Sequence, residues 1–134
     1  MWTTGHYGSL YPLTLVNMYN MNKSLLYTVI IFFIAQSFGW FQANGQFISK
    51  WFKEYPIFWS FTLGGVTSYL FMLGHKYSYE SFGGVTWPGR MLAFSIGIVI
   101  FTAFAWFFLG ESLSAKTIIS LVLAAAIIGI QIAF

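Results

Sequence analysis

The stretch from Met91 to Leu109, MLAFSIGIVIFTAFAWFFL, contains no Asp, Glu, Lys, Arg or His. A helix needs about 20 predominantly apolar residues to cross the hydrocarbon core of a bilayer. The strands of a membrane barrel instead alternate apolar and polar residues, whereas this stretch is apolar at successive positions. It therefore predicts a transmembrane helix.

Three further stretches have the same character, at about residues 25–43, 57–73 and 113–134, and their only ionised side chain is Lys116. Pro56 precedes the second predicted helix, where the missing N–H of proline costs nothing. Gly110 begins a tight turn before the last one. The sequence predicts an all-α fold, a bundle of four transmembrane helices in one domain over residues 23–134.

The first 22 residues are predicted to be an N-terminal tail. Residues 1–20 contain no Lys, Arg, Asp or Glu, and they include Gly, Pro and Asn. Two interpretations stay open. The tail is either a segment that lies on the membrane surface or an extension ahead of a start at Met21.

The composition indicates where the protein resides. Of the 134 residues, 58% are hydrophobic and 7% are charged, whereas soluble domains average about 25% charged residues. This excludes a soluble domain and a disordered chain. The net charge of +3 comes from six scattered cations, which is too sparse a pattern for nucleic-acid binding. We expect a multi-pass protein of the cell or inner membrane, with the lipid bilayer as its first partner.

The positive charges of the loops are balanced between the two sides of the predicted bundle. One side receives Lys23, Lys76 and Arg90, and the other receives Lys50, Lys53 and Lys116. Because an excess of Lys and Arg orients membrane proteins, a balanced count predicts insertion in both orientations and an antiparallel homodimer. The alternative is that six charges are too few to determine orientation.

The last two predicted helices and the first one carry a recognisable pattern. The residues are Gly97-Ile98-Val99, Trp106 nine positions after the glycine, Gly110-Glu111 at the final turn, and Ala35-Gln36-Ser37-Phe38-Gly39 in the first helix. In these residues the chain resembles the small multidrug resistance family of the drug/metabolite transporter superfamily. The resemblance implies a homodimer that transports a small molecule by alternating access, with its site between facing helices.

One position departs from that family. The family couples transport to protons through a Glu in the first helix, and the matching residue here is Gln36. An amide donates and accepts hydrogen bonds but does not ionise. The departure favours a neutral or zwitterionic substrate, or uncoupled movement. The alternative role for Gln36 is a hydrogen bond between helices, worth about 0.6 kcal/mol.

Further candidate residues follow from the same analysis. We expect Gln36, Trp40, Tyr69 and Trp106 to contact a substrate. Glu80 and Arg90 are candidates for a gating charge pair. The alternative partner of Glu80 is Lys76, and Arg90 could instead meet a lipid phosphate, which we favour, or an anionic substrate. Glu111 is predicted to complement the dipole of the last helix.

Small residues predict where helices meet. Gly97 is a predicted packing position, and so are Ala125 and Gly129, which are four residues apart in the last helix. Small residues at this spacing let helices approach closely in lipid. The last helix is therefore the predicted dimer seam.

No catalytic motif, metal-ligand cluster or cofactor signature is evident, so we expect neither an enzyme nor a metal or cofactor. The sequence favours a small transporter. The rival interpretation is an accessory membrane subunit that packs against a larger partner through its small-residue faces.

Overall fold

The computed structural model describes residues 15–133, and this part of the chain is almost entirely helical. Four helices are long, and one is short. They are α1 (Leu15–Asn44), α2 (Lys50–Glu54), α3 (Pro56–Ser81), α4 (Trp87–Leu109) and α5 (Ala115–Ala133). The four long helices are all long and apolar enough to cross a membrane. The predicted all-α bundle is confirmed, and the chain is an integral membrane protein.

The helix ends follow from local chemistry. Helix α3 begins at Pro56, as predicted, and α4 also has a proline in its first turn. Helix α4 ends at Gly110, whose φ of 66° lies in the left-handed region that glycine adopts without strain. The N–H of Glu111 then donates to the carbonyl of Ala105 at 3.3 Å, which satisfies one of the carbonyl groups that the end of a helix leaves without an intrahelical partner.

Two helices are longer than the apolar stretches that predict them. Helix α1 begins at Leu15, so residues 15–22, which we assigned to the tail, are helical, while residues 1–14 lie outside the described part. Helix α3 continues past residue 73 to Ser81. Hydropathy marks only the segment inside the hydrocarbon, whereas backbone hydrogen bonding lets a helix continue beyond it.

The connection between α1 and α3 contains structure that the sequence analysis did not predict. A short 3-10 turn, Gly45–Phe47, leads into α2, and the hydroxyl of Ser49 accepts from the N–H of Trp51 at 3.3 Å. The ring of Phe52 on α2 stacks on Trp59 of α3, with centroids 4.5 Å apart. Aromatic packing thus fastens α2 to the start of α3.

Helix α1 lies between α3 and α4. It is antiparallel to α3, since a Cβ at Gly74 would meet Phe32 and one at Gly64 would meet Gln42. It is parallel to α4, since Gln36 reaches Ala93 and Trp40 packs against Phe104. The buried core lies at this junction and contains Phe32, Leu92, Ala93, Ile96 and Ile100.

Helix α5 packs against α4 at the edge of the bundle. Among its described residues Ala124 alone is buried, and Val122 and Leu123 are 63% and 60% exposed. The side chain of Ala125 is exposed, and a Cβ at Gly129 would meet nothing within 4 Å. The predicted seam residues therefore lie on an open apolar face.

Candidate binding site along helices α1 and α4

The side chain of Gln36 lies between α1 and α4. Its amide nitrogen donates to the carbonyl of Ala93 at 2.7 Å, which joins residues 57 positions apart. A Cβ at Gly97 would lie 2.8 Å from Cδ of Gln36. The absence of a side chain at Gly97 therefore makes the room that this amide occupies.

Two recesses adjoin Gln36. The first has a volume of about 220 Å³ and is lined by Trp40, Asn44 and Phe101 in addition to Gln36 and Gly97. The second has a volume of about 130 Å³ and is lined by Gln36, Phe71, Arg90, Ala93 and Phe94. A polar amide in a membrane-spanning helix thus has a recess on each of two sides. Each recess is smaller than a drug-sized pocket, which begins at about 300 Å³.

Trp40 contributes an aromatic wall to the first recess. It is 3% exposed and lies among phenylalanine rings, stacked on Phe108 at 5.6 Å and edge-on to Phe104 at 5.4 Å. Its indole N–H is buried, and it has no hydrogen-bond acceptor in the described part of the chain. A buried indole donor without a partner is costly in an apolar medium, which makes Trp40 a candidate hydrogen-bond donor to a ligand.

The other two predicted substrate contacts lie elsewhere. Tyr69 is 57% exposed on α3 and lines neither recess beside Gln36. Trp106 is 59% exposed and lines a third recess of about 180 Å³ together with Phe101 and Glu111. The structure therefore brings Gln36 and Trp40 together but separates Tyr69 and Trp106 from them.

Glu80 and Arg90 do not form an ion pair in the structure. Both side chains are exposed, and the guanidinium of Arg90 lies 4.5 Å from the ring centroid of Phe94 on its own helix. A guanidinium over an aromatic face is attracted by the ring quadrupole. Arg90 also lines the second recess beside Gln36, so it lies at one end of the candidate site.

Phe101 was not predicted from the sequence. It lines both the first recess and the third, and its exposure of 51% leaves its ring free on one side. Its position four residues after Gly97 places it on the same face of α4. The spacing from Gly97 is visible in the sequence, but it does not single out Phe101 in a chain with so many aromatic residues.

Glu111 lies just ahead of α5 and outside its first turn. The first turn of α5 contains no acidic residue, and the hydroxyl of Ser114 accepts from the N–H of Thr117 at 3.2 Å. Ser114 therefore caps α5, because the side chain of a capping residue accepts from the backbone N–H of the second or third residue of the helix. The carboxylate of Glu111 lies before the cap, on the wall of the third recess.

In the part of the chain that the structure describes, no three His, Cys, Asp or Glu residues converge as metal ligands. Comparisons with known protein families, with curated proteins and with solved structures find no match.

Proposed function

We propose that this protein is a small transporter similar to the small multidrug resistance family, which moves an uncharged or zwitterionic solute by alternating access. The observation that carries the proposal is the position of Gln36, a polar side chain in the membrane interior with a recess on each side of it. Polar groups inside a bilayer are expensive and generally serve a function there.

The recesses follow the face shared by α1 and α4. Arg90 lies at one end, Gln36 in the middle, and Phe101 at the point where the next recess begins. Each recess is smaller than a drug-sized pocket and is open on one side. A second copy placed against this face would enlarge and enclose it, so the proposed functional unit is a homodimer with α5 in its seam.

Transport into vesicles tests this proposal. We expect proteoliposomes to accumulate glycine betaine, a zwitterion, or sorbitol, a neutral polyol, faster than protein-free vesicles, and to take up tetraphenylphosphonium, an organic cation, no faster. Gln36→Ala should abolish the difference. Gln46→Ala is the matched control, because Gln46 bonds to the carbonyl of Ala43 at the exposed end of α1.

Two results would contradict the proposal. The first is uptake of neither solute by the unaltered protein. The second is uptake that survives Gln36→Ala, because the amide would then be a packing element alone. Orientation is tested separately, with paired C-terminal reporters that are active on opposite sides of the membrane, and the antiparallel dimer requires signal from both reporters.

A second candidate function is that of an accessory subunit. It is favoured by the hydrogen bond from Gln36 to Ala93, which already uses one of the two N–H donors of the amide within the chain, and by the open face of α5. Size in detergent separates the two functions, since a transporter of this kind needs a stable dimer. A monomer that co-purifies with a larger membrane protein would favour the accessory subunit.

A further inference from the structure

The third recess, where α4 turns into α5, combines an aromatic wall with a carboxylate. Phe101 and Trp106 are 51% and 59% exposed and line it together with Glu111 and the hydroxyl-bearing Thr102 and Thr117. An aromatic face attracts cations through its quadrupole, and a carboxylate attracts them directly. The chemistry of this recess therefore fits a positively charged group.

The carboxylate of Glu111 does not cap α5. The cap of α5 is Ser114, and the first turn of that helix lacks an acid. Between residues 19 and 133, no ion pair involves Glu111. Its charge is therefore available to a ligand.

The hydroxyl groups of the recess distinguish among cations. The hydroxyl of Thr102 donates to the carbonyl of Ile98 at 2.8 Å, so its oxygen is left to accept. The hydroxyl of Thr117 is 2.8 Å from that of Ser114 and retains accepting capacity. A carboxylate with two hydroxyl acceptors matches the N–H donors of a primary ammonium group, whereas a quaternary ammonium has none to offer.

The position of the recess indicates the source of the ammonium group. It lies where α4 ends at Leu109 and the chain turns back at Gly110, and the ends of membrane-spanning helices lie near the lipid headgroups. Tryptophan favours that level. Phe101 and Trp106 are exposed beside the recess, so the recess is open at the surface of one chain.

We propose that this recess binds the primary ammonium group of an ethanolamine phospholipid. Glu111 neutralises the ammonium charge, Thr102 and Thr117 accept its hydrogen bonds, and Trp106 covers it. Phe101 lines both this recess and the first recess beside Gln36, whereas Glu111, Thr102 and Thr117 line this one and not that one, and the proposed lipid binding does not depend on transport.

Native mass spectrometry of the full-length protein in detergent tests the proposal. The protein is supplied with equal amounts of dioleoyl lipids that carry ethanolamine, N,N-dimethylethanolamine, choline or glycerol headgroups. We expect several-fold more ethanolamine lipid retained than choline lipid, with the dimethyl lipid between them. Glu111→Gln should remove the preference, and Glu54→Gln, another exposed carboxylate, should leave it intact.

Equal retention of all four lipids would overturn the proposal, and so would a preference that survives Glu111→Gln. Free ethanolamine at millimolar concentration should not displace the lipid, and displacement would contradict a lipid source. If Glu111→Gln does not fold, as judged by circular dichroism, Trp106→Leu replaces it and is expected to weaken retention several-fold.

Discussion

Helix α1 and helix α5 are both apolar membrane-spanning segments, yet they are held in different ways. Helix α1 is enclosed by α3 and α4, and Phe32 and Ala35 on it are completely buried. Helix α5 rests on α4 with Ala124 as its single buried residue among those described. In this protein a helix packs closely where a glycine lies opposite a large side chain. Phe32 and Gln36 on α1 face Gly74 and Gly97 in this way, whereas Gly129 on α5 faces no side chain within 4 Å.

The largest effect should come from filling one of those glycine positions. A Cβ at Gly74 would lie 2.5 Å from the ring of Phe32, and Phe32 is completely buried. We expect Gly74→Ala to lower the free energy of unfolding by about 1–3 kcal/mol, the usual cost of overpacking. Unfolding by dodecyl sulfate in mixed micelles measures it.

The control for that variant is Gly65→Ala in the same helix, because a Cβ at Gly65 would meet nothing within 4 Å. It should cause no loss of stability, since alanine is the better helix former. Equal destabilisation by both variants would mean that α3 does not pack against α1 at Gly74.

A smaller effect is expected at Gln36. Gln36→Leu removes the hydrogen bond to Ala93, and hydrogen bonds between transmembrane helices average about 0.6 kcal/mol. We expect a loss of stability near that value together with a complete loss of transport. A loss of several kcal/mol in the same unfolding assay would instead assign Gln36 a mainly structural role.

The smallest effect on the stability of one chain is expected on the open face of α5. Leu123 is 60% exposed, so Leu123→Ala should change the free energy of unfolding of the monomer by no more than about 0.5 kcal/mol. The same variant should weaken dimerisation if α5 forms the seam, which analytical ultracentrifugation in detergent measures. A large loss of monomer stability would show that α5 is enclosed within one chain.

The number and place of the long helices could be predicted from the sequence. Ionised groups are costly to bury in lipid, so each membrane-spanning helix is visible as a long apolar stretch with few or no charged residues. The turn at Gly110 and the start of α3 at Pro56 were also predictable, since each residue type has a specific backbone requirement. Helix α2 was not predicted, because five residues held by a capping serine and stacked rings leave no periodic pattern.

The candidate site could be predicted only in part. Gln36 stands out as a polar residue in an apolar helix, and the structure places Trp40 beside it. Tyr69 could not be placed, because polar and apolar residues are distributed around α3 and its sequence does not reveal which face meets α1. The recess around Glu111 depends on Thr102 and Thr117 from two helices, which the sequence does not bring together.

The central claim is a homodimer with α5 in its seam, and disulfide cross-linking in native membranes tests it directly. The chain has no cysteine, so any disulfide that forms between copies must involve the introduced cysteines. Ile118, Ala125 and Ile132 are spaced by seven residues on α5, and the two isoleucines are 49% and 46% exposed. Two antiparallel copies that cross at Ala125 would bring residue 118 of one beside residue 132 of the other.

We predict that Ala125→Cys cross-links between copies on oxidation, and that a mixture of Ile118→Cys and Ile132→Cys chains does so far more than Ile118→Cys alone. Met72→Cys, at a position 63% exposed on α3, should not cross-link. Cross-linking of Ile118→Cys with itself would show a parallel dimer, and no cross-linking at Ala125 would contradict the seam.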